Sequence, residues 1–189
     1  MSSGPDAGQE GVRKIVMYEL MSLDGVAEEP GDWMFEVDDD VFANLARVIA
    51  AQDDVLLGRG TYDYWSGYWP SSDVQPFADF INTTPKHVVT STAPATSWAN
   101  TVLVHEPAAD YVARLKEGEG GDIGIHGSLS LATTLLDADL VDVLELVVVP
   151  ALAGGGRRLF GDRPEPGRLR LDTVAASPSG AVFLRYLRG

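Results

Sequence analysis

The sequence predicts an α/β fold of three layers, helix over sheet over helix, with a mostly parallel central sheet and antiparallel C-terminal strands. Three observations predict it. Short apolar runs alternate with helically spaced segments as far as Pro150. The run Leu144–Val149 is apolar throughout apart from Glu145, as in a strand covered on both faces. Two further strand-like runs, separated by a turn signal at Pro178-Ser179-Gly180, close the chain.

The elements follow in order. Lys14 to Leu20 is a short apolar-rich first strand that runs into the loop Ser22-Leu23-Asp24-Gly25. Residues 26–37 are irregular, with a turn at Pro30-Gly31. Val41, Phe42, Leu45, Val48 and Ile49 repeat at helical spacing behind Asp38, Asp39 and Asp40, which suit a cap and an acidic first turn. Val55 to Leu57 is a buried strand stopping at Gly58-Arg59-Gly60-Thr61, and a run of aromatics, Tyr62 to Trp69, follows. Phe77 to Ile81 reads as a short helix, His87 to Thr90 and Thr101 to Val104 as strands, and Ala108 to Lys116 as a helix. Ile123 to His126 is a strand meeting Gly127-Ser128, and Leu129 to Leu136 is a helix with Ser128 as its expected N-cap. After Leu144–Val149 come the loop at Gly154-Gly155-Gly156 and the strands Leu169–Val174 and Val182–Leu187.

The length of 189 residues fits one domain, expected over residues 12–189 behind a disordered N-terminal tail, residues 1–11. That tail has neither the basic start nor the apolar stretch of a signal peptide. No apolar run is long enough to span a membrane, so no membrane partner is expected and a cytoplasmic location is the default. There is no cysteine, which excludes disulfides, a thiol nucleophile and thiolate metal sites. The three histidines stand on separate strands without metal-ligand spacing, so no metal is expected. A formal net charge of −14 argues against nucleic acid as a partner. Anion binding must then be local, through backbone N–H groups and a few placed arginines.

Two strand-to-helix junctions meet that requirement, Leu57-Gly58-Arg59-Gly60-Thr61 and His126-Gly127-Ser128-Leu129. Glycine lets the backbone approach a ligand, and a helix start offers unpaired N–H groups and the positive end of a dipole, which suits a phosphate. In open α/β sheets ligands sit at the carboxyl ends of strands, where both junctions fall. A plain tight turn is an equal reading for either junction alone.

Residues 55–70, from Val55 through Gly58-Arg59-Gly60-Thr61 to Trp69-Pro70, resemble the signature of the dihydrofolate-reductase-like family, in its branch related to the reductase domain of the bifunctional riboflavin-biosynthesis deaminase–reductase. Supporting blocks occur in the family's order: Met21-Ser22-Leu23-Asp24-Gly25, Lys86 to Ser91, Gly124 to Ser128, and Pro150 to Phe160. The resemblance implies a reductase of dihydrofolate-reductase-like fold that uses NADPH, with NADH possible, on a small-molecule substrate, and that forms a homodimer. The late loop and terminal strands, with Leu144–Val149 nearby, are where that interface would lie. It also implies that Gly58, Arg59 and Thr61 meet the cofactor phosphates, that Ser91 lies near the adenosine ribose, and that Gly127, Ser128 and Leu129 receive the pyrophosphate. Relatives often carry a basic residue directly after the Ser91 position, where a 2′-phosphate would be paired; here it is Thr92, which leaves Arg59 to supply the charge. The H-x-E…P-C-x-x-C signature of zinc deaminases is absent.

Reducing a C=N or C=O group needs a proton as well as a hydride, and a buried carboxyl with a raised pKa is a standard donor. Asp24, in the loop expected nearest the nicotinamide, is the first candidate; capping its own turn is the competing role. Ser22, Trp33 and Tyr62 are candidates for the substrate pocket, the rings by stacking on a flat heterocycle, with core packing as the alternative for Trp33 and Phe35. The aromatic run would either wall that pocket or form a subunit contact. Three functions compete: a reductase of pterin- or pyrimidine-like heterocycles or of carbonyls, a dinucleotide-binding sensor or partner subunit without turnover, and a structural dimer with a lost cleft.

Overall fold

A computed structural model describes residues 12–161 and 167–189. The N-terminal tail expected over residues 1–11 lies outside the described residues. Eight strands form one sheet in the order β4-β3-β2-β5-β1-β6-β8-β7. They are β1 Ile15–Ser22, β2 Gln52–Gly58, β3 Lys86–Val89, β4 Thr101–Val104, β5 Asp122–His126, β6 Val143–Val149, β7 Leu169–Ala176 and β8 Val182–Arg188. Every pairing from β4 across to β6 is parallel, and β8 runs antiparallel to both β6 and β7. The expected architecture is therefore the observed one.

Five helices cover the sheet: α1 Asp39–Ile49, α2 Arg59–Tyr68, α3 Phe77–Thr83, α4 Ala108–Lys116 and α5 Leu129–Asp137. Crossovers between parallel strands are right-handed, so the direction in which the chain steps along the sheet decides which face a helix covers. The steps β1 to β2 and β2 to β3 go one way and place α1, α2 and α3 on one face. The steps β4 to β5 and β5 to β6 go the other way and place α4 and α5 opposite. The packing agrees. Val112, Leu129, Leu131, Ala132 and Leu135 join Ile15, Met17, Ile123 and Ile125 in one apolar cluster. Val41 and Val48 join Val16, Tyr18, Val143 and Val147 in a second, and Tyr62, Phe77 and Ile81 join Val55, Leu57 and Val88 in a third. Alternation along each strand thus sends one set of side chains to each helical layer.

The aromatic run after Gly60 is helical, as α2, with Tyr62 and Ser66 turned inward. Asp38 caps α1 by accepting from the Val41 N–H at 3.1 Å, and its other oxygen accepts from the Ser179 N–H at 2.9 Å, which ties the last hairpin turn to this helix. Those N–H groups, Ser179's foremost, hold the Asp38 carboxyl down at about 2. The suggestion that Leu144–Val149 contributes to a subunit interface is corrected: β6 lies between β1 and β8, and all of its residues but Val148 are buried. The strand exposed along its whole length is β7, at the sheet edge.

At the amino ends of the strands the buried Arg13 pairs with Asp53 and, at 2.7 Å, with Asp54. Asp54 also meets His87 Nε2 at 2.8 Å, and His87 Nδ1 lies 2.6 Å from the Tyr111 hydroxyl. A buried charge needs this kind of partnering, and the cluster locks β1, β2 and β3 together at the end of the sheet away from both glycine junctions.

Candidate functional site

The two glycine junctions meet at the carboxyl end of the sheet. Beyond His126 the chain takes two successive left-handed residues, Gly127 at φ +61° and Ser128 at φ +55°, before α5 begins. Gly127 fits this path freely, whereas an L-residue such as Ser128 in that region costs ~1–2 kcal/mol. The Ser128 hydroxyl offsets the strain by accepting the Gly58 N–H at 3.0 Å, a bond that joins the first junction to the second. The expected side-chain cap is consequently missing: Ser128 occupies the N-cap position of α5, but its side chain makes no capping bond. Gly58, at the start of α2, has no side chain with which to cap. The first-turn N–H groups of both helices are thereby left for another acceptor.

These junctions line a cleft of about 360 Å³ that takes Gly58, Arg59, Gly60 and Thr61 from one side and Gly127, Ser128 and Leu129 from the other. Residues 27–30, Tyr64, Trp65, Ser130, Leu131 and Arg157 complete its walls. A second cleft, of about 410 Å³, is lined by Arg59, Thr90, Ser91, Thr92, His105 and Glu106 among others. Arg59 lines both. Its Nε faces both Asp63 oxygens at 2.7 Å, and its Nη1 donates to Thr92 O at 2.8 Å, Thr92 Oγ1 at 3.0 Å and Ala93 O at 3.2 Å. The guanidinium is therefore carried to Thr92, the position where a basic residue was expected by resemblance.

The structure thus brings together Gly58, Arg59, Thr61, Gly127, Ser128 and Leu129 on one cleft and sets Ser91 on the adjoining one. It does not bring Tyr62, Trp33, Ser22 or Asp24 to either. Tyr62 is a core residue at 1% exposure, with its hydroxyl donating to Thr96 O at 3.1 Å and its ring 6.0 Å from that of Trp98. In a helix, positions i and i+4 share a face. Thr61 and Trp65 share the one that reaches the cleft, and Tyr62 is turned away from it. Trp33 is likewise buried, with Nε1 donating to Glu28 O at 2.8 Å, and packs against the second apolar cluster. Ser22 is fully buried; its hydroxyl donates to Asp24 Oδ1 at 2.6 Å and accepts from the Val26 N–H at 3.0 Å.

Asp24 departs most from expectation. Its carboxylate accepts the Ser22 hydroxyl and the N–H groups of Ala153 at 3.0 Å and Gly154 at 2.9 Å. These donors, the Ser22 hydroxyl first, hold it down at about 2. It is ionised at neutral pH and clamps the loop after β1 to the late loop, the opposite of the raised carboxyl expected of a proton donor. His126 is buried against Tyr18, Phe77 and Phe80, with Nε2 2.7 Å from Gln52 Oε1, and burial pushes its imidazole down to about 3.

Arg157 is absent from the sequence-based candidates, and Trp65 is the member of the aromatic run that lines the cleft together with Tyr64. Trp65 and Arg157 line the first cleft, and Arg157 Nη2 donates to Ser130 Oγ at 2.9 Å while its backbone N–H donates to Glu28 Oε2 at 3.0 Å. Glu19, on the central strand β1, lines neither cleft. It is 3% exposed, its Oε1 has no hydrogen-bond partner, and burial raises its carboxyl well above the ordinary range. Its signal was visible, since it is the one acid in the strand Ile15–Ser22.

The fold and these junctions define a dihydrofolate-reductase-like domain. The family model of the RibD C-terminal domain matches residues 13–183, and the chain belongs to that family. The Bacillus subtilis (strain 168) protein YwjB is 30% identical over 179 residues, which are 93% of this chain and 98% of YwjB. The crystal structure of a putative riboflavin biosynthesis protein from Shewanella sp. PV-4 superposes with a TM-score of 0.76 at 20% identity, covering 93% of this chain and 99% of that one. The Thermotoga maritima diaminohydroxyphosphoribosylaminopyrimidine deaminase/5-amino-6-(5-phosphoribosylamino)uracil reductase superposes with a TM-score of 0.68 at 15% identity, over 94% of this chain and 57% of that longer one.

Proposed function

We propose that the chain is a reductase that holds a reduced nicotinamide dinucleotide, NADPH in the first instance and NADH in the second, along its two adjoining clefts. The carrying observation is Arg59, which lines both clefts at the uncapped start of α2 and whose guanidinium reaches Thr92 in the second. The residues present fit the group. Gly127 and Ser128 approach at left-handed dihedrals, two helix starts leave donors uncapped, and Arg59 with Arg157 supplies local positive charge in a chain of net charge −14. The pyrophosphate would lie between Gly58–Thr61 and Gly127–Leu129, and the adenosine ribose beside Ser91 and Thr92. When bound, the dihydronicotinamide supplies a hydride. The protein's share is to orient that ring, exclude water and manage the proton. The substrate class is a small pterin- or pyrimidine-like heterocycle or a carbonyl compound, by likeness to the reductases among its relatives.

The test is a titration with NADPH and NADH, read by quenching of tryptophan emission. Trp65, in the wall of the first cleft, is the expected reporter, and Trp65→Phe should remove most of the signal. Arg59→Ala should weaken NADPH at least about tenfold, as expected for loss of a charged hydrogen-bonding partner worth ~1.5–3 kcal/mol. Absence of binding for either dinucleotide at millimolar concentration would refute the assignment.

A further inference from the structure

The second cleft is built where β3 and β4 end. Val89 and Val104 are register partners there, and the Thr90 N–H still donates to Val104 O at 3.0 Å before the two chains part. Thr90 Oγ1 donates to Thr92 O at 2.6 Å and accepts the Thr92 N–H at 3.2 Å, which closes a tight turn. Arg59 reaches Thr92 from α2. Across the gap, the exposed His105 has its Nδ1 2.8 Å from Thr90 O. A carbonyl oxygen only accepts, so Nδ1 carries a hydrogen in the neutral ring as well as in the charged one. Nε2, on the other side of the ring, has no hydrogen-bond partner among the described residues. His105, Thr92 and Arg59 therefore stand around one cleft, joined through Thr90. We propose that His105 Nε2 and Arg59 together hold the 2′-phosphate that distinguishes NADPH from NADH, and that protonation of this imidazole strengthens the distinction; the assignment rests on the reductase reading.

The ionisable residues that line this cleft are Arg59, His105 and Glu106. Arg59 is already engaged, since both Asp63 oxygens face its Nε at 2.7 Å. Glu106 accepts from Arg114 Nη2 of α4 at 2.6 Å, and Asp110, also on α4, gives its backbone carbonyl to Arg114 Nη1 at 3.2 Å. The fixed charges thus come in opposed pairs, Arg59 with Asp63 and Arg114 with Glu106. A phosphate carrying about −1.5 to −2 charge needs donors and further positive charge at such a place. Arg59 Nη2 and the Thr92 hydroxyl hydrogen are uncommitted among the described residues, Thr92 Oγ1 itself accepting from Arg59 Nη1. His105 supplies the charge once Nε2 takes a proton, and its bond to Thr90 O holds the ring in place in both states. A neutral ring turns only a lone pair toward a phosphate oxygen, whereas the protonated ring offers an N–H and a positive charge. The 2′-hydroxyl of NADH can donate to the neutral ring and has no charge to pair with the other. An imidazole changes charge between about pH 5 and pH 8, so the preference for NADPH is larger in acid and falls as pH rises. The 2′-phosphate loses charge on acidification, with its second pKa about 6, so a preference that grows in acid does not come from the ligand.

Calorimetric titration of the full chain with NADP+ and with NAD+, which differ only in the 2′-phosphate, tests this at pH 6 and pH 8.5. In the wild type the ratio of the NADP+ association constant to that of NAD+ should be about three- to fivefold larger at pH 6, the upper part of the range for an exposed ion pair. His105→Asn keeps a donor for Thr90 O and has nothing in place of Nε2, so its ratio should not rise in acid. His105→Lys carries its charge at both pH values, so its ratio should be high and level. A wild-type rise that survives in His105→Asn places the titration elsewhere and overturns the proposal, as does a His105→Asn that weakens both dinucleotides by the same factor. Binding of both dinucleotides with a level wild-type ratio overturns this assignment alone. Binding of neither to the wild type at millimolar concentration overturns the reductase reading, and this assignment with it.

Discussion

Replacing Ser128 by alanine tests how the two junctions are held together. The substitution removes the acceptor of the Gly58 N–H, 3.0 Å away, and keeps the left-handed backbone at φ +55°. An N–H left without its partner at a mostly buried site costs about 1–2 kcal/mol, the lower part of the range because Gly58 is half-buried. For a domain of this size each kcal/mol lowers Tm by about 2–4 °C, so a fall of about 2–8 °C is expected. Ser128→Gly loses the same bond but relieves about 1 kcal/mol or more of left-handed strain, so it should melt above the alanine variant. Scanning calorimetry supplies the Tm values, and NADPH titration of the same samples should show both variants weakened, because the two helix starts are no longer held at one spacing. A wild-type Tm and affinity in Ser128→Ala would refute the coupling. Alanine melting above glycine would refute the strain.

Two more measurements address the reassigned residues. Tyr62→Phe should cost about 0.5–1.5 kcal/mol for its bond to Thr96 O and leave NADPH affinity unchanged, since the ring belongs to the core; a tenfold loss of affinity would return Tyr62 to the site. Asp24 and Asp38 both titrate at about 2 in the folded chain, below their ordinary 3.8. Folded groups with depressed carboxyl pKa values stabilise above the unfolded value, so stability should be whole above about pH 4 and fall progressively toward pH 2. Melting curves from pH 5 to pH 2 should show this, and Asp38→Asn should flatten the profile; a flat wild-type profile would contradict the hydrogen-bond pattern.

The layers were legible because apolar periodicity records burial. Leu144–Val149 proclaims a strand covered on both faces, and Val41 to Ile49 a one-sided helix, and these are β6 and α1. The glycine junctions were legible because a strand end, a glycine and a helix start coincide in sequence. The rotation of α2 was not: aromatics on several sides of one helix blur its inward face, so Tyr62 was singled out for the pocket while Trp65 stood only within the run that would wall it. Asp24 was misjudged for a different reason. Its donors at Ala153 and Gly154 lie about 130 residues away, and no local pattern foretells a partner at that separation. Glu19 was legible in principle, because an acid inside a buried strand has to be neutral, paired or unusual.

The clamp that misled the reading of Asp24 sets the order in which the protein becomes competent. The loop after β1 is fastened by Ala153 and Gly154 through Asp24, by Arg157 through Glu28, and by Leu159 through the Gly25 carbonyl. At ~5–20 residues per second of synthesis, the first loop waits on the order of ten seconds for those partners. A nascent chain thus has both helix starts before Arg157, the last wall residue of the first cleft, is made.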